Sequence, residues 1–160
     1  MAATVENHEG CAFCRIVADV ERAGTAGEEP VTVPDAHVVF SDAVSIAFLD
    51  RRPVFTGHAL LVPRAHVASL ADLPAELAGP LFLNARLLSL AMERALGAEG
   101  AFVALNNRVS QSVPHLHIHV VPRRRKDGLR GFFWPRTKYP DEAAAADVRD
   151  RLRAAVADLR

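Results

Sequence analysis

Residues 115–120 alternate histidine with an apolar residue three times in succession, and this alternation limits the possible fold more than any other feature of the chain. The six residues are His115, Leu116, His117, Ile118, His119 and Val120. The β-branched residues among them favour a strand over a helix, and on a strand residues two apart point to the same side. The pattern therefore predicts a strand with one face in the core and three imidazoles in a row on the other.

Three imidazoles in a row are suited to two kinds of chemistry. Three histidines and a water molecule make a zinc site, whereas a neutral imidazole can act as a nucleophile toward phosphorus or carbon. The four positive charges of residues 123–126 follow the strand directly. They favour phosphorus, because a basic segment attracts an anionic substrate. The alternatives are a polar face that uses histidine by chance and a solvated basic loop.

A polar turn precedes the histidine strand. It offers amide and hydroxyl groups that suit phosphate oxygens, from Asn106, Asn107, Ser110, Gln111 and Ser112. Taken alone, an ordinary hairpin loop explains the same composition.

The charge balance of the chain limits its partners. Nineteen basic and nineteen acidic residues give a formal net charge of zero at pH 7, which argues against a nucleic-acid or membrane-surface binder. The chain lacks the run of about 18 apolar residues that a transmembrane helix needs. Residues 1–9 show no signal-peptide pattern, so we expect a cytoplasmic protein.

Length and periodicity predict an α+β domain over residues 1–160. Short apolar runs bounded by turn residues predict five strands, at 37–41, 45–50, 58–62, 101–105 and 116–121. Leucine and alanine at three- and four-residue spacing predict one long helix between an N-cap at Asp72 and a stop at Gly97, with Pro80 inside it. Residues 141–159 predict a C-terminal helix. We expect a mainly antiparallel five-stranded sheet with the long helix at its centre.

The segment from His115 to Arg123 resembles the signature of the histidine triad family, in which histidine alternates with apolar residues. Further segments occur in the family's order at similar spacings, at 11–16, 47–50, 57–66 and 111–113. The resemblance covers residues 11 to about 123 and leaves 124–160 as a C-terminal extension. It implies a single domain with the family's fold and a homodimer in which the long helices pair.

The resemblance implies chemistry at the α-phosphate of a small nucleotide substrate. It implies that His117 is the nucleophile and takes the nucleotidyl group, before water or another acceptor releases the nucleoside monophosphate. His119 and Ser112 would hydrogen-bond the phosphate and the departing group, with a proton supplied there, and His58 would support the triad. The residues implied in substrate binding are Asp50 at the ribose, Asn106 or Asn107, Gln111 and Arg123.

The resemblance extends to the zinc-containing bacterial members of the family, and it groups Cys11, Cys14, His66 and His115 as a metal site. Two cysteines and two histidines form a closed tetrahedral Zn²⁺ site with no open position for water, so we expect a structural role. Such an ion would fix His115 and the strand that carries His117. The alternatives are two buried, inert thiols or a thioredoxin-like redox motif, although the strand that such a motif requires before it is missing.

The sequence leaves the substrate and the acceptor open. Residues 51–54 resemble dinucleoside polyphosphate hydrolases, whereas Trp134 and Pro135 resemble phosphoramidase members. The basic residues 123–126 favour a polyanionic leaving group, and hence a polyphosphate. With phosphate in place of water, the same nucleophile would serve a nucleotidyltransferase or a phosphorylase. The remaining alternative is a zinc-containing nucleotide-binding adaptor whose catalysis is incidental.

Overall fold

The protein is represented by a computed structural model that describes residues 8, 10–23, 37–129 and 139–158. They belong to two compact units, Met1–Asp127 and Gly128–Arg160. A single domain over the whole chain stays a prediction. Trp134 and Pro135, on which the similarity to phosphoramidases depends, lie outside the described residues.

The first unit contains a mixed set of helices and strands. In chain order they are α1 (Ala12–Ala23), β1 (Val38–Ser41), β2 (Ser45–Leu49), β3 (Ala59–Pro63), a 3₁₀ turn (Leu70–Asp72), α2 (Ala75–Leu96), β4 (Gly100–Ala104) and β5 (Ile118–Arg123). The strands form one antiparallel sheet in the order β1-β2-β3-β5-β4. The described part of the second unit contains α3 (Glu142–Asp158). The predicted α+β class, five-stranded sheet, long helix and C-terminal helix are confirmed.

Both faces of the sheet are buried. Successive residues of a strand point to opposite sides, so the same strands contribute side chains to two separate cores. On one face Ala47, Leu61 and Ile118 pack in a core with Leu88 of α2. On the other face Phe48 packs with α1 residues. Leu61 is fully buried, so truncating it to alanine should cost about 2–5 kcal/mol of stability.

Strand β5 begins two residues later than predicted. Ile118 is the first residue that pairs with β3, opposite Leu61. The amide of Leu116 donates instead to the carbonyl of Val67 at 2.6 Å, outside the sheet. His115 and His117 therefore lie on the segment that leads into the strand, and His119 lies within the strand.

The long helix ends as predicted but begins elsewhere. Gly97 stops α2 in the left-handed conformation, with φ at 63°. The predicted N-cap at Asp72 is wrong, because α2 begins at Ala75 and the Asp72 carboxylate accepts bonds from the amide and hydroxyl of Ser69. Pro80 lies inside the helix; its missing amide affects the exposed first turn. No helix in the described part of the chain combines the length and apolar character of a membrane span.

Helix α1 was not predicted from the sequence. Its residues Phe13, Val17 and Val20 are buried and follow the four- and three-residue spacing of an amphipathic helix. That spacing is the signal in the sequence that could have predicted the helix. This helix covers the face of the sheet that carries the histidines.

Candidate active site and metal-binding cluster

The three alternating histidines lie on the α1 side of the sheet. The ring of Phe13 on α1 packs edge-on against two of them, with ring centroids 5.9 Å from His115 and 5.2 Å from His117. Both histidines are buried, at 0% and 4% exposure, while His119 is partly exposed. The intervening Leu116, Ile118 and Val120 pack in the core beneath α2, which is the division of faces that the alternation predicts.

A cavity of about 730 Å³ opens beside His117 and His119. Its apolar wall is formed by Phe13, Ile16, Phe48, Leu60 and Val113. Its polar lining consists of Arg15, Asp19, Asp50, Arg51, Arg52, Ser112 and the two histidines. The cavity therefore offers an apolar surface and a polar, imidazole-bearing end in one space.

The orientation of the His117 ring is fixed by its own strand. Its Nδ1 lies 2.8 Å from the carbonyl oxygen of His115. A carbonyl only accepts hydrogen bonds, so Nδ1 carries the proton and donates it. In the neutral ring Nε2 then holds a lone pair, on a side chain that lines the cavity. A neutral imidazole in this tautomer is a suitable nucleophile.

His58 and His119 form a second imidazole pair at the same end of the cavity. Nε2 of His58 lies 3.0 Å from Nδ1 of His119. The backbone amide of Val54 donates to Nδ1 of His58 at 3.2 Å. Burial, reinforced by His117 and His58, lowers the pKa of His119 to about 4. Burial also lowers the pKa of His58, against the opposing effect of Asp50, so both rings are neutral at pH 7.

Asp50 and Ser112 approach the cavity from different loops. One carboxylate oxygen of Asp50 accepts the amide of Arg52 at 2.8 Å, and the other lies 3.6 Å from Nδ1 of His58. Ser112 lies on the loop between β4 and the histidine segment. The structure thus brings Asp50, Ser112, His117 and His119 to one cavity, with His58 behind them.

Four predicted substrate-binding residues lie outside the lining of this cavity, three of them in the polar loop and the fourth being Arg123. Of the polar loop, Ser112 and Val113 reach the cavity, whereas Asn106, Asn107 and Gln111 are absent from its lining. Asn107 accepts the amide of Leu70 through Oδ1 at 2.8 Å. This contact holds the loop against the segment before α2. A direct role of Asn106, Asn107 and Gln111 in substrate binding stays a prediction.

The side chain of Gln111 connects three backbone groups around that loop. Its Oε1 accepts the amide of Arg108 at 2.8 Å, and its Nε2 donates to the carbonyls of Ala68 and Val113 at 2.7 and 3.1 Å. Arg108 and Ser110 have φ of 66° and 59°, a left-handed conformation that is costly for residues other than glycine. The side chain of Gln111 therefore supports a strained loop next to Ser112.

The basic segment 123–126 is held by nearby acidic groups. The guanidinium of Arg123 donates to both carboxylate oxygens of Asp127, at 2.5 and 3.0 Å, and this raises the pKa of Arg123. None of the residues 123–126 lines the cavity; its cationic side chains are Arg15, Arg51 and Arg52. Sequence reasoning missed Arg15 because it missed α1.

Cys11, Cys14, His66 and His115 form a compact cluster beside this cavity. Their ligand atoms all lie within 4.8 Å of one another. Sγ of Cys14 lies 3.2 Å from Nδ1 of His66 and 3.5 Å from Nδ1 of His115, and Sγ of Cys11 lies 3.5 Å from the same atom of His115. With zinc–sulfur and zinc–nitrogen distances of about 2.3 and 2.05 Å, a tetrahedral site separates S and N by roughly 3.5 Å. The donor set and its spacing fit a metal ion.

The surroundings of the cluster keep its donors in place. Nε2 of His115 lies 2.9 Å from the carbonyl oxygen of Pro63, to which it donates, so Nδ1 is left for the sulfur side. Burial, together with the neighbouring Cys11, raises the pKa of the Cys14 thiol to about 11. A bound cation would offset this cost, since a metal ligand must be a thiolate.

Residues 31–126 match the family described as HIT domain. The adenylylsulfatase HINT3 of Arabidopsis thaliana is 28% identical over 130 residues, which are 80% of this chain and 58% of that protein. The asymmetrical bis(5'-nucleosyl)-tetraphosphatase of Schizosaccharomyces pombe is 33% identical over 58% of this chain and 52% of its own length. The chain thus spans little more than half the length of these two relatives. The adenosine 5'-monophosphoramidase hnt1 of the same yeast is 31% identical over 81% of this chain and 85% of its length.

Solved structures show the same fold. A member of the HIT family from Bacillus subtilis has a TM-score of 0.72 at 26% identity and covers 91% of this chain and 96% of its own. A zinc-bound histidine triad family protein from Mycobacterium smegmatis has a TM-score of 0.63 at 30% identity and covers 89% and 97%.

Proposed function

This chain belongs to the HIT domain family, and on that basis we propose that it is a nucleotide hydrolase that works through a nucleotidyl group on His117. The substrates would be nucleoside 5'-phosphoryl compounds cleaved at the α-phosphate, either dinucleoside polyphosphates or phosphoramidates. The observation that carries the proposal is the His117 ring. Its Nδ1 donates to the carbonyl of His115, which leaves Nε2 as the nucleophilic nitrogen of a ring that lines a nucleotide-sized cavity.

The two halves of the cavity suit the two halves of a nucleotide. A planar base fits the apolar wall that contains Phe13 and Phe48, and Asp50 offers a carboxylate to ribose hydroxyls. The α-phosphate then lies at the polar end, between His117 and Ser112. Relatives named as a tetraphosphatase and a phosphoramidase support nucleotide hydrolysis as the general activity.

The reaction proceeds in two displacements. Nε2 of His117 forms a bond to the α-phosphorus, and the bond from phosphorus to the leaving group breaks. Water then attacks the nucleotidyl-histidine, the phosphorus–nitrogen bond returns its electron pair to Nε2, and one proton of the water passes to solvent. Inorganic phosphate as the acceptor would make the same protein a phosphorylase.

The Cys11, Cys14, His66 and His115 cluster is proposed as a structural zinc site. Its fit to tetrahedral spacing supports this role, as does the zinc-bound relative of known structure. All four donors come from the protein, so the ion stabilises the link between α1 and the histidine segment.

A homodimer is proposed across α2 and the sheet edge. Phe82, Leu83, Leu87 and Leu90 are exposed apolar residues of α2, and Val103 is exposed on β4, which is an edge strand. An apolar patch and an unpaired strand both favour association. Light scattering should report a dimer for the wild type and a monomer for the double variant Leu83→Glu, Leu87→Glu, while Leu152→Glu on α3 should remain dimeric. A wild-type monomer would refute the dimer.

The cytoplasmic location of the protein stays a prediction.

Trapping the covalent intermediate tests the main proposal. When the reaction with labelled diadenosine tetraphosphate is quenched during turnover, one labelled nucleotidyl group should remain on His117 of the wild-type protein. The variant His117→Gln should carry none. Product analysis in ¹⁸O-labelled water, with and without phosphate, identifies the acceptor. Label on another residue would refute the assignment of the nucleophile. Nucleotide binding without turnover would favour the adaptor alternative.

A further inference from the structure

One face of α1 forms a side of the cavity. The α1 residues in the cavity lining are spaced three and four apart, as on one side of a helix; they are Ala12, Phe13, Arg15, Ile16 and Asp19. The ring of Phe13 packs against His117, with centroids 5.2 Å apart. At 1.5 Å per residue, Asp19 lies about 9 Å further along the helix axis than Phe13. The face therefore leads from the reactive ring to a carboxylate well away from it.

Arg15 and Asp19 carry opposite charges on this face, and they are not paired with each other. Residues four apart are neighbours on a helix surface, yet the carboxylate of Asp19 contacts the guanidinium of Arg22, which is not in the cavity lining. Within the part of the chain that the structure describes, the guanidinium of Arg15 has neither a hydrogen bond nor an ion pair. A carboxylate has about four acceptor sites, so Asp19 retains acceptors beside its contact with Arg22.

We infer that Arg15 and Asp19 bind the edge of the nucleotide base and select guanine over adenine. The inference rests on the proposed function and adds the base to its substrate class.

The proposed binding mode brings the base to these two side chains. The α-phosphorus lies at His117, and the base packs on the apolar wall that contains Phe13 and Phe48. Arg15 and Asp19 follow Phe13 on the same side of α1, so they border this wall. They therefore meet the edge of the base, while the aromatic rings meet its face.

The other carboxylate of the cavity lining belongs to the imidazole end. One oxygen of Asp50 lies 3.6 Å from Nδ1 of His58, and the other accepts the amide of Arg52. Asp50 is therefore placed for the ribose, and Asp19 is the carboxylate that remains for the base.

Guanine offers the groups that this pair of side chains needs. A carboxylate only accepts hydrogen bonds and a guanidinium only donates them. Asp19 accepts from the N1 and N2 groups of guanine, and Arg15 donates to O6 and N7, which is the bidentate contact that arginine makes with guanine in DNA. The four groups follow one another along the rim of the base, and the Cβ atoms of the two side chains are about 6 Å apart.

Adenine and cytosine fit the pair less well. Adenine has a lone pair at N1, which a carboxylate repels, and its only donor on this edge is the N6 amino group. Cytosine has one amino group to donate and lacks the counterpart of N7. Each of these bases therefore leaves part of the pair unbound.

The first test lets two bases compete within one substrate. In P1-adenosine-P4-guanosine tetraphosphate, attack with guanine in the cavity gives GMP and ATP, whereas attack with adenine there gives AMP and GTP. We expect about 10-fold more GMP than AMP from the wild type, within the range of one bidentate contact to a base. Equal amounts, or an excess of AMP, would overturn the inference and leave the proposed hydrolase standing. Hydrolysis to neither pair would overturn the proposed function.

The second test changes the carboxylate. Asp19→Asn keeps the shape of the side chain, and an asparagine amide pairs with adenine, so the ratio of GMP to AMP should fall to about one or below. Glu21→Gln removes a carboxylate of α1 that does not line the cavity, and it should keep the wild-type ratio. Arg22→Gln breaks the contact with Asp19 and should also keep it. A ratio that survives Asp19→Asn, or that is lost equally in both controls, would overturn the inference.

The third test measures binding without turnover. Isothermal titration calorimetry on the wild-type protein should give a Kd for GMP that is about 10-fold lower than the Kd for AMP or CMP. Arg15→Gln and Asp19→Asn should each reduce this difference, since each removes one half of the contact. Equal Kd values for the three nucleotides would overturn the inference, whether or not the tetraphosphate is hydrolysed.

Discussion

His115 and His117 are two residues apart, and their rings use opposite nitrogens. His115 donates from Nε2 to the carbonyl of Pro63 and turns Nδ1 toward two sulfurs. His117 donates from Nδ1 to a carbonyl and keeps Nε2 for the cavity that it lines. One ring is enclosed by ligand-type side chains, and the other borders open space.

The difference shows that the carbonyl partner decides what an imidazole does. Each ring has one nitrogen occupied by a backbone acceptor, so the remaining nitrogen carries the function. In His115 the remaining nitrogen faces two sulfurs, and in His117 it belongs to a ring that lines the cavity. This difference separates the structural cluster from the reactive one. The following predictions, in order of decreasing effect, test this separation.

The largest effect is expected at the nucleophile. His117→Gln should lower kcat/KM by about 10⁴-fold or more, since removing a covalent nucleophile abolishes the main route. The amount of bound zinc should not change. Steady-state kinetics and metal analysis measure the two quantities. If the variant loses zinc as well as activity, the two clusters are not separate.

The next largest effect is expected on the free energy of unfolding when zinc binds. At about a thousandfold excess over its Kd, Zn²⁺ should raise the free energy of unfolding by about 4 kcal/mol, and Cys14→Ser should lose most of this gain. Denaturant titrations with and without the ion measure it. The matched variant Val17→Ala lowers stability from the same helix and should keep the gain. A wild type that zinc does not stabilise would remove the structural role of the cluster.

The next effect concerns acid, where His119 should lower the free energy of unfolding. The folded-state pKa of His119 is about 4, below the ordinary 6.5, so the unfolded chain takes up its proton first as the pH falls. Stability from this group is complete above pH 6.5 and is lost between pH 6.5 and 4. In that range His119→Gln should show a slope that is shallower by up to about 1.4 kcal/mol per pH unit. Identical slopes would mean that His119 titrates normally.

The smallest effect concerns the cations near the reactive ring. Arg52→Ala should raise KM for diadenosine tetraphosphate about two- to fivefold, the size expected for an exposed charge contact. Arg125→Ala, in the basic segment that does not line the cavity, should leave KM unchanged. The reverse result would show that residues 123–126 attract the substrate, as the sequence suggested.

The sequence was most informative where one residue type sets one property. Alternation at 115–120 predicted the division between histidines and core, and Gly97 predicted the end of α2. The Asp72 cap failed because a local bond to Ser69 satisfies the same carboxylate equally well. Such competition between neighbouring partners is not visible in spacing.

The chain order of residue types was enough to identify the histidine strand, the family and a plausible ligand set, because periodicity and donor chemistry are local properties. The fold decided the rest. It placed α1 over the histidines and brought Arg15 to the cavity. It also set the tautomers through the carbonyl of His115 and the amide of Val54. These backbone groups lie only two residues from His117 and four from His58 in the chain, but residue spacing does not show their direction, and only the folded backbone points each of them at a ring nitrogen.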